Sequence, residues 1–259
     1  MQGAGNDFVI LDARAGKLAA KAFTAAAAKA IAERRTGVGC DQVILIARPE
    51  GKATAAMRIR NADGGEVAAC GNAARCVGLF LMDERGEDQA VLETAAGLIE
   101  AVREGGNRIS VDMGVAKTDW QAIPLKEETD TLHLDLGEGA LGEGVAVSMG
   151  NPHAVFFVED AEAVPLADTG PRLEHHPLFP ERANIGVAQM LANDRLRLRV
   201  WERGAGLTRA CGSGACAAVV AANRRGLIQN EAEVIQDGGS LTVRIREDGH
   251  VLLSGPAVL

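Results

Sequence analysis

Two cysteines stand out as candidates for chemistry because glycine and a long apolar run follow each of them. Cys70-Gly71 precedes 73–82 (AARCVGLFLM), and Cys211-Gly212 precedes 215–222 (ACAAVVAA). A helical-length segment that is apolar on all sides must be buried on all sides, so each Cys-Gly step is expected to open a buried helix. The unpaired backbone N–H groups and the positive dipole end at such a start favour an anion. That predicts a lowered thiol pKa and available thiolate near neutral pH. Gly71 and Gly212 permit close backbone approach, so the same turns can hold a carboxylate. Two such thiols converging on one carbon can take a proton from one face and return one to the other, inverting the centre. The helix N–H groups around the carboxylate would stabilise the carbanion between those steps. All six lysines precede residue 127 and none stands in a Gly-rich motif, so no Schiff-base cofactor is called for. The expected activity is a cofactor-free racemase or epimerase.

The other cysteines read differently. Cys76 and Cys216 fall six and five residues beyond the first pair, so neither shares a helix face with it, and both are expected to pack in the core. The C-x5-C and C-x4-C spacings miss the short zinc-knuckle pattern, and no metal is expected. Cys40, after Gly37-Val38-Gly39, is read as structural.

The elements that must position the two steps form an internal echo. MRIRNADGGEVAACGN from Met57 resembles LRLRVWERGAGLTRACGS near the C-terminal end, and Gly5-Asn6 is matched by Gly150-Asn151. Two matches in one order predict duplicated lobes. Strand-like runs at 8–11, 43–46, 57–60, 108–111, 154–158, 196–201 and 241–245 lie among Gly, Asn and Asp. The Ala-rich stretch 17–35 reads as one helix. The fold class is α+β: two pseudo-symmetric lobes facing each other, each a curved mixed or antiparallel sheet or barrel around a central buried helix. Polar helix ends are expected at 83–86 and 223–226. Asp63 is expected to tie down the turn at Gly64-Gly65, and His175 and His176 are read as loop.

Composition narrows the partners. The 259 residues are 47% hydrophobic and 24% charged, a globular balance. A net charge of −8, an aromatic share of 3% and no Tyr argue against nucleic acid, which calls for clustered Lys and Arg and stacking platforms. No 18-residue apolar run spans a bilayer, and the opening MQGAGNDF is not a signal peptide. An odd set of five Cys fits a reduced compartment. A small-molecule substrate and a cytoplasmic location are expected.

The motifs GNDFVILD at 5, GVGCDQ at 37, NADGGEVAACGNAARC at 61, GNPHAV at 150, ANIGVAQ at 183 and WERGAGLTRACGSGAC at 201 together resemble the diaminopimelate epimerase family over nearly the whole chain. The resemblance implies interconversion of LL- and meso-diaminopimelate, in lysine and cell-wall precursor synthesis, with Cys70 and Cys211 as the acid/base pair. It implies substrate contacts from Asn6, Gln42, Asn61, Gly71, Asn72, Asn151, Asn184, Glu202, Arg203, Gly212 and Ser213, and pKa tuning by His153 and Glu202. Arg203 can fork onto a carboxylate and Glu202 can accept from an ammonium. It also implies a first lobe of residues 1–113 rejoined by 251–259, a second of 114–250, and an active site in the cleft between them. A homodimer is compatible with it. Ala73 stands where the family commonly has Gly, and Ser213 where it has Thr. Only Met1–Ala4 precede the first motif and the chain stops at Leu259, where the family usually has a further strand before GNDF and continues past GPA, so edge strands of the first lobe are expected to be missing and that lobe weakened. Two rival readings are a proline-racemase-like two-thiol enzyme and a non-catalytic amino-acid-binding protein. The polar cluster of Asn61, Asn184 and Arg203 speaks against the first, and the retention of both thiols against the second.

Overall fold

A computed structural model of the chain describes residues 1–16 and 22–259. It divides into two compact units, Met1–Asp112 with Ser254–Leu259, and Met113–Leu253. In the first unit lie β1 (Gln2–Gly3), β2 (Asn6–Asp12), α1 (Ala25–Ala32), β3 (Gln42–Ala47), β4 (Ala55–Asn61), β5 (Glu66–Val67), α2 (Gly71–Arg85), β6 (Gln89–Thr94), β7 (Gly97–Gly105) and the start of β8 (Arg108–Val115). Strand β2 runs parallel to β3 with Phe8 opposite Gln42, β3 is antiparallel to β4, and β4 parallel to β6. Antiparallel pairs β1–β2, β6–β7 and β7–β8 extend the sheet, while β5 folds back on β4. Gln2 exchanges two backbone hydrogen bonds with Val258, at 2.8 and 2.9 Å, which ties the chain's last residues into this unit.

The second unit holds β9 (Gly144–Ser148), β10 (Pro152–Phe157), α3 (Leu166–Glu174), β11 (Asn184–Ala192), β12 (Arg195–Glu202), β13 (Gly206–Thr208), α4 (Gly212–Arg224), β14 (Glu231–Gln236), β15 (Gly239–Ile245) and most of β16 (His250–Pro256). It repeats the first element for element. Strand β9 is antiparallel to β10, β10 parallel to β11, β11 antiparallel to β12, β12 parallel to β14 and β14 antiparallel to β15, with β13 folded back on β12. One helix lies between the second and third strands of each set, and another follows the fifth. The two lobes are pseudo-symmetric α+β units.

Helix α2 packs against β1 and β2 at one end of the strand path and β6 and β7 at the other, so the sheet curls around it. Burial follows from composition: Ala73, Ala74, Cys76, Val77, Leu81 and Met82 are sealed from solvent. A Cβ at Gly78 would lie 2.7 Å from the Ala101 Cβ, which is why the helix can approach β7 so closely only with glycine there. Helix α4 is buried likewise, from Gly214 to Ala222, against β9 to β12, β14 and β15. Burying such side chains stabilises each lobe by about 1.5–3 kcal/mol per large aliphatic residue.

The strand-like runs lie within β2, β3, β4, β8, β10, β12 and β15, apart from Val158, which falls just past β10. The long Ala-rich helix does not form as one element. Residues 17–21 lie outside the described residues, and α1 begins only after Thr24, whose hydroxyl caps it by accepting the Ala27 N–H at 3.2 Å. It stops at Ala32 rather than Arg35. Asp63 does hold its turn, accepting the Gly65 N–H at 2.8 Å. Among the described residues no helix is long and apolar enough to cross a membrane.

Candidate active site

Cys70 is the N-cap of α2 and Cys211 the N-cap of α4, both in extended backbone conformation. Gly71 and Gly212 are the first helical residues of each, so the free N–H groups of both first turns surround a cysteine. Cys76 and Cys216 lie deep inside the helices, fully buried, and Cys40 is buried in the small core under α1. Burial pushes the Cys76 thiol up to about 11 and raises that of Cys40, as expected of inert core thiols.

In the first unit the polar residues form pairs. The Asn72 amide donates to Asn6 Oδ1 at 2.6 Å, and the Gln42 amide donates to Asn61 Oδ1 at 2.9 Å across the β3–β4 register. The buried oxygens Asn72 Oδ1 and Gln42 Oε1 have no hydrogen-bond partner among the described residues. Sequence reasoning missed what holds these pairs in place. Asp41 Oδ2 accepts from the Asn6 amide at 3.3 Å and from the Asp7 N–H at 3.1 Å, while Asp7 Oδ1 accepts the Asp41 N–H at 2.7 Å. Arg34 forks onto Asp7 at 2.8 and 2.9 Å and reaches Asp41 at 2.8 Å. Hydrogen bonding to Arg34 leads the causes that keep the Asp7 carboxyl below its usual range. Both aspartates sit inside the quoted GNDF and GCDQ motifs, so the signal was present but went unread.

In the second unit the expected residues form a connected network. His153 Nε2 lies 3.0 Å from Asn151 Oδ1 and 3.2 Å from Ser213 Oγ, and the Asn151 amide donates to Ser213 at 3.4 Å. Cys211 Sγ accepts the Gly214 N–H at 3.3 Å and lies 3.6 Å from Ser213 Oγ. The Glu202 carboxyl stands near it and raises its pKa, and that carboxyl in turn accepts from the Thr208 hydroxyl. Asn184 donates to the Pro152 carbonyl at 2.9 Å and accepts the Arg203 N–H at 2.9 Å. The Arg203 guanidinium donates to the Glu181 carbonyl at 2.9 Å. One further neighbour had no sequence signal: Gln236 Oε1, at the end of β14, accepts the Cys211 N–H at 2.8 Å.

The electrostatics correct one expectation. The helix start was expected to lower the Cys211 pKa, but burial raises it well above the ordinary thiol value, and the nearby Glu202 adds to the rise. The Gly214 N–H and the Ser213 hydroxyl pull the other way and lose, because desolvation of a buried anion outweighs a pair of hydrogen bonds. Burial also raises the Glu202 pKa against the bond from Thr208. His153 is pushed down to about 3 by burial and then by the charge of Arg203. It is therefore a neutral imidazole near pH 7, an orienting hydrogen-bond partner and not a nearby positive charge.

Two like lobes, each wrapped around a buried helix, make a fold shared with solved structures. A phenazine biosynthesis protein of the PhzF family from Bacillus anthracis superposes with a TM-score of 0.68 at 18% identity, over 100% of this chain and 92% of that one. A hydroxyproline epimerase from Agrobacterium vitis superposes with a TM-score of 0.61 at 18% identity, over 88% and 75%. Sequence takes the assignment further. The diaminopimelate epimerase family model matches residues 1–118 and 145–259. The chain is 57% identical to the diaminopimelate epimerase of Acidiphilium cryptum, over 100% of this chain and 92% of that relative. It is 55% identical to that of Rhodospirillum centenum, over 99% and 87%. The chain belongs to the diaminopimelate epimerase family.

Proposed function

We propose that this protein interconverts LL- and meso-diaminopimelate without a cofactor, serving lysine biosynthesis, with Cys70 and Cys211 as the two proton carriers. The observation that carries the reading is the repeated site: each lobe presents a cysteine as the N-cap of a buried helix, with glycine at the first helical position. One thiolate takes the α-proton, forming S–H as the C–H bond breaks, and the electron pair spreads into the substrate carboxylate. Helix N–H groups at Gly71, Asn72, Gly212 and Ser213 stabilise that charge. The other thiol gives its proton to the opposite face, so one proton enters as one leaves. In the arrangement described, burial and Glu202 favour the protonated Cys211, so it is the acid and Cys70 the base; the reverse direction starts from the opposite protonation.

The far end of the substrate carries its own ammonium and carboxylate. Arg203 supplies a fork for the carboxylate, and the amides of Asn6, Gln42, Asn61, Asn72, Asn151 and Asn184 offer donors or acceptors to either group. Such a far end suits diaminopimelate and has no counterpart in proline. Five free cysteines fit a reducing cytoplasm, and a homodimer completes the reading; ultracentrifugation tests the assembly.

The decisive experiment is proton NMR of LL-diaminopimelate with the purified protein in D2O, with proline in parallel. Deuterium entering the α-position as the meso isomer appears is the expected result. Exchange into proline alone would move the substrate to the racemase reading, and a folded protein that exchanges neither would leave only binding.

A further inference from the structure

Helix α3 was not legible in the sequence, and its last residue, Glu174, does something no motif announced. Glu174 is 4% exposed. A buried carboxylate costs several kcal/mol unless it is paired and hydrogen-bonded, and the partners here are specific. Oε2 accepts the Trp201 indole N–H at 2.7 Å, and Oε1 accepts the Gly204 N–H at 3.0 Å and a guanidinium N–H of Arg182 at 3.2 Å. Trp201 and Gly204 flank Glu202 and Arg203 on either side. The backbone joins in: the Glu174 carbonyl accepts the Ala183 N–H at 3.2 Å, one residue before Asn184. Arg182 has a left-handed φ of 61°, a conformation uncommon outside glycine and worth about 1–2 kcal/mol of strain, which turns the chain into β11. The Asn184–Arg203 bond then closes a ring through both strands. One turn earlier on α3, a Cβ at Gly170 would lie 2.5 Å from the Trp201 ring, so the indole lies directly on the helix.

We propose that Glu174 is a positioning residue: its carboxylate fixes the β12–β13 corner and the start of β11 together, and so sets where Glu202, Arg203 and Asn184 stand. This rests on the reading above that those three side chains serve the substrate and Cys211. Glu174 itself touches no reacting atom. Its chemistry matters because all three side-chain contacts are donors, and only a carboxylate offers acceptors on both sides.

Glu174→Gln tests this directly. The amide keeps one acceptor oxygen, and its lower-cost orientation leaves that oxygen on Gly204 and Arg182 and turns the NH2 toward the Trp201 indole N–H, donor against donor. We expect KM for diaminopimelate to rise about tenfold and the limb of the pH–rate profile that reports Cys211 to move, since Glu202 shifts with its corner. The double variant Glu174→Gln/Trp201→Phe removes the opposing donor and is expected to recover most of the KM and the profile relative to the single variant. With two tryptophans in the chain, the 15N spectrum shows two indole N–H signals. The Trp201 signal should move upfield in Glu174→Gln together with the Gly204 and Arg203 amides. Unmoved signals would overturn the anchoring; moved signals with an unchanged KM and pH profile would overturn the positioning role. Should Glu174→Gln alone fail to fold, the double variant decides: recovery of fold and KM supports the proposal, and no recovery sinks it. Should the wild-type protein exchange no deuterium into diaminopimelate, the functional reading falls, while the indole and amide signals still decide whether Glu174 holds the corner.

Discussion

At Cys70 and at Cys211 the backbone does nearly the same thing, with φ, ψ of −146°, 114° and −132°, 110°, yet the two sulfurs live in different chemistry. Cys70 is partly exposed and makes no side-chain cap. Cys211 is buried, accepts a helix N–H, and stands beside a carboxyl. The strand registers trace the difference to particular residues. Phe8 faces Gln42 on β2–β3 where His153 faces Asn184 on β10–β11, Asn61 occupies the place of Glu202, and Asn72 that of Ser213. At these matched positions the first lobe carries amides and a phenyl ring, and the second an imidazole, a carboxyl and a hydroxyl. Duplication supplied the helix start twice; the side chains around it divided the work. A reaction that must run in both directions needs an acid and a base at once, and unlike surroundings are how one fold holds two thiols in unlike protonation states.

The strongest way to break this comparison is to delete each sulfur in turn. Cys70→Ala and Cys211→Ala are each expected to lower epimerisation by on the order of 10³-fold, the scale of positioned acid–base catalysis. The two should differ in what survives. With Cys211 gone, Cys70 can still remove a proton and return solvent deuterium to the same face, so α-exchange without inversion is expected from one stereoisomer; Cys70→Ala should spare exchange only from the other. Near-normal epimerisation by either variant would end the two-base reading.

Borrowing a residue from one lobe sharpens the contrast. His153→Phe places the first lobe's phenyl in the second. In the folded wild type the imidazole protonates only near pH 3, against 6.5 ordinarily, so the unfolded chain binds the proton first as pH falls. Stability from this group is complete above about pH 6.5 and drains away as pH drops toward 3, about 3 kcal/mol of it by pH 4.5. Urea unfolding at pH 7 and at pH 4.5 should show that loss in the wild type and not in His153→Phe. Equal losses in both would mean that the imidazole is not held neutral by burial.

Legibility in the sequence followed locality. The Cys-Gly steps and their apolar runs could be read because the helix, its cap and its burial are all written in consecutive residues. Strands with alternating burial, such as β12, could be read as well. Strand β9 was not among the runs read; GVAVS is buried at every position. Helix α3 was hidden by Gly170 and Pro171 inside it, and both Glu174 and Gln236 reach their partners only through tertiary packing. The direction of the Cys211 pKa was misjudged for the same reason. Dipole and N–H groups belong to the helix, but desolvation belongs to the whole lobe.

The subtlest of the influences on Cys211 is the carboxyl beside it. Burial is the larger cause of the raised Cys211 pKa and Glu202 the next, so Glu202→Gln removes the second and leaves the first. The pH at which iodoacetamide labels Cys211, followed by peptide mass spectrometry, should move down without reaching that of a free thiol, while Cys216, buried in the middle of α4, labels as slowly as before. The shift separates two roles of one residue, since Glu202 raises the thiol's pKa and accepts from the Thr208 hydroxyl of β13. A profile that moves as predicted assigns Glu202 to the charge balance of the sulfur. A profile that stays put, with KM altered, would assign it to its bond with Thr208 instead, and the asymmetry between the lobes would then rest on burial and not on charge.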